Sequence, residues 1–282
     1  MFKRAVASLA LGLILPGSAV AEPVLVRFDE QQILKTILGW LDRRPASLSL
    51  PAMRVAPVPN SLAGARVPAE LEYTPPLTQG NTAIGRLLFV NTDGAFRSCT
   101  ATLLGRYGML VTTANCVVNR GGTLNEDLVF VTALGTKAQR LYSIDCVSFP
   151  GEWLEHPEPA AWRFNYAFLK IQGKSTFGGM GVTNAFPPRM LGRMGFSDTL
   201  DSRKQMESGS GVFITGTGLV GSRYDELSAG GTGNPWVRQA IVRTLSSHYD
   251  PARPEIILGP MFTSATMNLM NSLRERCKAT PQ

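Results

Sequence analysis

The residue types that most often carry chemistry are few in this chain of 282 residues: two histidines, His156 and His248, and four cysteines, Cys99, Cys116, Cys146 and Cys277. A hydroxyl nucleophile needs a base, and histidine is the usual one. Hydrolysis here would need Ser208, or another hydroxyl, brought beside His156 or His248 by the fold. His156, in Glu155-His156-Pro157, reads as a solvated loop residue, and His248 as a surface residue after a strand. The cysteines lack the two-to-four-residue spacing of a metal knuckle and only two histidines could join them, so no metal is expected. An even cysteine count in a secreted chain reads as two disulfides, with three pairings open.

The start of the chain supplies the oxidising compartment that disulfides require. Lys3 and Arg4 precede an apolar run from Ala5 to Leu15, then Pro16-Gly17 and the small residues of Ala19-Val20-Ala21. This pattern predicts a signal peptide over residues 1–21, cut after Ala21. The run is shorter than the roughly twenty residues of a membrane span, and no later segment qualifies as a transmembrane segment. A periplasmic or secreted product is the expectation.

Behind the candidate residues, the elements change character along the chain. Residues 22–80 form an N-terminal extension. Within it a helix is expected over 29–44, with Asp29 as N-cap, Gln32 three positions on, and Ile33, Leu34, Ile37, Leu38 and Leu41 on one face. Prolines 45, 51, 57, 59, 68, 75 and 76 then mark a linker. The extension is expected to stay outside the core, its helix covered by the following domain or by a partner. From Ile84 onward come short apolar or alternating runs: Ile84 to Val90, Cys99 to Leu104, Met109 to Thr112, Leu128 to Thr132, Ile144 to Val147, Tyr166 to Ile171, Gly211 to Ile214 and Ala240 to Leu245. Many short strands between turns predict a sandwich or barrel. Thr263 can cap a final helix that places Met267, Met270 and Leu273 on one side.

With 44% apolar and 17% charged residues, the chain can bury a full core and is not disordered. Its 28 glycines and 19 prolines disfavour a helical bundle. The net charge of +7 is scattered, with no Lys/Arg run that would mark nucleic-acid binding. No cofactor is implied.

The segment SCTATLLGRYGMLVTTANCV, residues 98–117, resembles the first catalytic stretch of chymotrypsin-fold (trypsin-like) serine proteases, in which a strand hairpin ends in Thr-Ala-Ala-His-Cys. Here the ending is Thr112-Thr113-Ala114-Asn115-Cys116, so Asn115 stands where the family has its base. The family's acid motif is matched by FNYAFLKI, residues 164–171, with Asn165 in place of aspartate. Its nucleophile loop, Gly-Asp-Ser-Gly-Gly-Pro, is matched better by Gly230-Gly231-Thr232-Gly233-Asn234-Pro235 than by Met206 to Gly211, which puts Thr232 at the nucleophile position. TAIGRLLFV at 82–90, MGFSDTLDSRKQ at 194–205 and YDELSAGGTGNP at 224–235 resemble the bacterial glutamyl-endopeptidase branch.

The resemblance implies an all-β, two-barrel domain over residues 81–282, with the C-terminal helix and the N-terminal helical extension added. It implies a bridge between Cys99 and Cys116, which leaves Cys146 and Cys277 for the second. The backbone amides of Gly230 and Thr232 would hold the family's oxyanion-hole positions, and a histidine in the segment of His248 helps that branch receive an acidic side chain. An amide has no basic lone pair on nitrogen, and an internal threonine has no free amine as its own base. The sequence therefore predicts a protease homologue with no catalytic residue at all three triad positions, acting by protein or peptide binding. An active hydrolase with a rearranged constellation and a structural component of an envelope assembly are the alternatives.

Overall fold

Buried apolar runs and turns alternate from Ile84 to Ile171, and each run becomes a strand of one closed barrel. The computed structural model describes residues 21–29, 31, 72–73, 82–105, 107–132, 140–173, 175, 177–185, 189–196, 206–223 and 231–277. Residues 1–20, most of the expected 29–44 helix and most of the linker lie outside them. In chain order the strands are β1 (Val24–Arg27), β2 (Glu72–Tyr73), β3 (Ile84–Val90), β4 (Phe96–Leu104), β5 (Met109–Thr112), β6 (Glu126–Thr132), β7 (Arg140–Phe149) and β8 (Ala167–Ile171). They continue as β9 (Gly181–Val182), β10 (Met190–Gly195), β11 (Met206–Ile214), β12 (Leu219–Arg223), β13 (Pro235–Arg238), β14 (Ile241–Leu245), β15 (His248–Asp250) and β16 (Arg253–Pro260).

The first barrel runs β7-β6-β3-β4-β5-β8 and closes where β8 pairs back onto β7. Leu87, Leu103, Leu110, Phe130 and Phe168 are fully buried in its core, each contributing about 1.5–3 kcal/mol by leaving water. The second sheet runs β15-β16-β12-β11-β10-β13-β14-β9, with β2 against β11. Trp236, Leu191, Val220 and Ile257 form a buried cluster in it. The all-β, two-barrel architecture closed by a C-terminal helix is thus the one the sequence predicts.

That helix, Ser264–Arg276, starts at a capping box between Thr263 and Thr266. Its buried face carries Thr266, Leu269 and Leu273, with Met270 packed against the core. Met267, expected on that face, does not join it, because Leu269 and Leu273, four apart, set the direction of burial. The helix is tied to β7 by the Cys146–Cys277 disulfide, and Cys99–Cys116 bridges β4 to the turn after β5.

The extension does not stay wholly outside. Strand β6 pairs with Arg140 to Ser143 of β7, and further along β7 the register Val24↔Phe149 to Arg27↔Cys146 adds β1 antiparallel. Backbone groups of β7 that β6 does not reach gain partners this way. Val24, Leu25, Val26 and Phe28 pack against the core. Just before β1 the chain passes so close over Gly151 that a Cβ there would lie 2.6 Å from the Glu22 carbonyl oxygen.

Candidate functional site

Strand β5 ends at Thr112, and after extended Thr113 the chain tightens into a single 3₁₀ turn, Ala114–Cys116. The Cys99–Cys116 bridge pins this turn to β4. Asn115 is half-buried within it, and its backbone N–H donates to Asn165 Oδ1 at 3.0 Å. Asn165 is fully buried and lies between the 3₁₀ segment Ala160–Phe164 and β8. Because its oxygen takes a backbone N–H, its amide nitrogen faces the other way and donates to Ser247 Oγ at 2.7 Å. Ser247 Oγ lies 2.6 Å from His248 Nδ1. Ser247 accepts from Asn165 through one lone pair, and which partner donates in its contact with Nδ1 follows the imidazole tautomer.

His248 is held among aromatic rings. It stacks on Trp162, centroids 4.7 Å apart and planes 12° off parallel, with Trp153 at 6.3 Å. Burial, assisted by the charge of Arg120, pushes its pKa down to about 4. Arg120 lies over the Trp153 ring, 4.6 Å from its centroid, and donates to the His156 carbonyl. His156 in turn stacks on Phe164 at 5.3 Å. Neither histidine is the solvated side chain the sequence suggests: both are half-buried, because the segment from Trp153 to Phe164 supplies an aromatic face for each.

The turn that carries Thr232 precedes β13. Thr232 is half-buried, and its carbonyl accepts the Thr100 N–H at 2.9 Å. Gly233 follows with φ of +85°, and a Cβ there would lie 2.2 Å from the Thr100 carbonyl oxygen and 2.7 Å from Thr112 Oγ1. Only glycine lets this loop lie against β4 and β5 in that conformation. Asn234 fixes the far side, its buried Oδ1 accepting from Thr100 Oγ1 and its N–H closing a turn onto the Gly231 carbonyl. Gly230 lies outside the described residues. Ser208 lies within β11, paired with Arg193 of β10, and so belongs to a strand rather than a nucleophile loop.

The fold therefore brings Asn115 and Asn165 into direct contact, extends them through Ser247 to His248, and moors the Thr232 loop on Thr100, next to Cys99. Chemically, this is a chain of neutral donors and acceptors. It can orient and bind, and its one titratable member is a weak base. Ser247, Arg120, Trp153 and Trp162 are site residues that sequence reasoning missed. The adjacency of Ser247 and His248 was the only local signal, since the tryptophans meet His248 from distant segments.

A scan against protein-family models gives no match, and a search of curated proteins gives none. Solved structures do match. A thermostable serine protease, AL20, from an extremophilic microorganism superposes with a TM-score of 0.60 at 16% identity, covering 69% of this chain and 98% of that one. A Glu endopeptidase solved in complex with MPD gives 0.61 at 16%, covering 73% and 97%. A scabies mite inactivated protease paralogue, S-D1, gives 0.53 at 14%, covering 71% and 95%. At these identities the likeness is one of fold, and this chain carries the chymotrypsin-like two-barrel fold of the serine proteases.

Proposed function

We propose that the protein is a secreted or periplasmic, catalytically inactive serine-protease homologue that acts by binding protein or peptide. The observation that carries this reading is the Asn115–Asn165 hydrogen bond. It joins the two positions matched to the family's base and acid, and both side chains are amides that take up no proton near neutrality. Thr232, at the matched nucleophile position, would need a base from elsewhere. Two disulfides, and no described helix long and apolar enough to cross a membrane, support the compartment. Some neighbours in fold are themselves described as inactivated protease paralogues.

The Ser247–His248 pair is what a rearranged hydrolase would use, since hydroxyl and imidazole are already in hydrogen-bond contact. A base with a pKa of about 4 is poorly matched to proton transfer at pH 7, where the imidazolium is disfavoured roughly 1000-fold. Ser247 also spends a lone pair on Asn165. These features favour binding over catalysis.

The experiment is to incubate the full chain with a fluorescent peptide pool, measuring retention on the protein and new N-termini by mass spectrometry. Retention without new termini is expected. New termini at a rate proportional to protein, absent from an Asn165→Leu preparation, would refute inactivity.

A further inference from the structure

Two cavities open side by side on the face formed by the 3₁₀ segment Ala160–Phe164, the β11–β12 turn and the C-terminal helix. The first, about 480 Å³, is floored by the buried cluster of Trp162, Leu219 and Leu258. The second, about 450 Å³, is lined by Phe164, Tyr166, Met261 and Leu269. Arg163 and Thr217 line both, so they form a ridge between two halves of one elongated groove. None of Asn115, Asn165 and Thr232 lines either cavity.

The polar groups of the groove are unevenly satisfied. Asp250 and Arg253 neutralise each other through two hydrogen bonds, at 2.9 and 2.7 Å. Arg163 is exposed on the ridge, rests over the Phe164 ring at 4.7 Å, and has no carboxylate partner among the described residues. Glu152, the carboxylate of the second cavity, belongs to the short helix Glu152–Glu155 beyond Pro150. Trp162 is 8% exposed, and its indole N–H finds no acceptor among the described residues. That N–H is closed off from solvent, so it is the Trp162 ring that the first cavity meets, next in sequence to a cation with no carboxylate partner among the described residues.

We propose that this groove binds an extended segment of a partner protein, with an acidic residue on Arg163 and an apolar side chain on either side of it, one in each cavity. The acid meets the guanidinium in a charge-assisted hydrogen bond, and the apolar side chains leave water. An elongated pair of cavities suits an extended chain better than a compact ligand. The proposal rests on the binding function above and adds its location and partner chemistry.

A random heptapeptide library panned over the immobilised full chain tests it. The selected peptides should share an apolar–acidic–apolar pattern. The strongest, fluorescein-labelled, should bind about tenfold or more weakly to Arg163→Glu and to Thr217→Trp, both changes at exposed positions. Exchanging the peptide's acid for lysine should restore binding to Arg163→Glu. Selection without acidic preference, no selection, or indifference to both substitutions overturns the proposal. If binding is indifferent to both but lost in Thr232→Trp, the groove is wrong and the binding function stands. Selected sequences that match an undescribed segment of this chain make the occupant the chain itself, which also overturns it.

Discussion

The backbone N–H of Asn115 is held at 3.0 Å by the side-chain oxygen of Asn165, fully buried and 50 residues further along the chain. The same side chain donates to Ser247 on its other end. The amide accepts from the N–H and donates to the hydroxyl, and it does so without the charge that a carboxylate would bury there. The two amides thus form a self-consistent pair, with no buried charge awaiting an imidazole.

Asn165→Leu should therefore cost about 2–4 kcal/mol of stability, because it strands the Asn115 N–H and leaves Ser247 without its donor. Urea unfolding measures this. A loss below about 0.5 kcal/mol would mean that the pair is incidental to the fold.

His248 makes the stability depend on pH. Its folded pKa, about 4, lies below the ordinary value of 6.5, so between those values the unfolded chain binds a proton that the folded chain does not. Stability from this group is complete above pH 6.5, falls as pH drops toward 4, and is level below that, with a total change of up to about 3 kcal/mol. His248→Phe keeps a ring against Trp162 and should flatten that part of the profile. An NMR titration placing the His248 midpoint near 6.5 would contradict the burial argument.

Most of the framework was legible locally. The runs Ile84 to Val90 and Met109 to Thr112 are β3 and β5 to the residue, because a buried strand is a short apolar run between turns. The turn at Asn115 and the loop at Thr232 were legible only through their resemblance to the motifs of the serine proteases. What escaped were contacts between distant segments. Nothing near Ser247 announces Asn165, and nothing near Val24 announces an incomplete edge on β7. The helix-period stripe at the chain end pointed to Met267 rather than Leu269, because periodicity gives a face but not the surface that receives it.

Two covalent or strand contacts tie the chain ends to β7, and each has a measurable weight. Breaking Cys146–Cys277, which joins positions 131 residues apart, by Cys146→Ser with Cys277→Ser should cost about 4 kcal/mol through the freed unfolded chain. Thermal unfolding of the double variant and the parent gives the difference. Equal melting temperatures would show that the bridge adds nothing to the packing of Leu269 and Leu273.

Removal of β1 takes away the packed side chains of Val24, Leu25, Val26 and Phe28 and uncovers the apolar surface they cover. A chain beginning at Asn81 should accordingly be less stable than one that keeps residues 22–29, by several kcal/mol. Denaturant midpoints for the two decide it. Equal midpoints would return the whole extension to a peripheral role.

Fluorophosphonate labelling tests most directly the claim that this fold holds no working nucleophile. An activated hydroxyl forms a phosphorus–oxygen bond and expels fluoride, whereas one without a base does not. The native full chain should show no label at Thr232, Ser208 or Ser247 under conditions that label an active serine protease to completion. Stoichiometric label at any of the three, abolished by prior denaturation, would contradict the account.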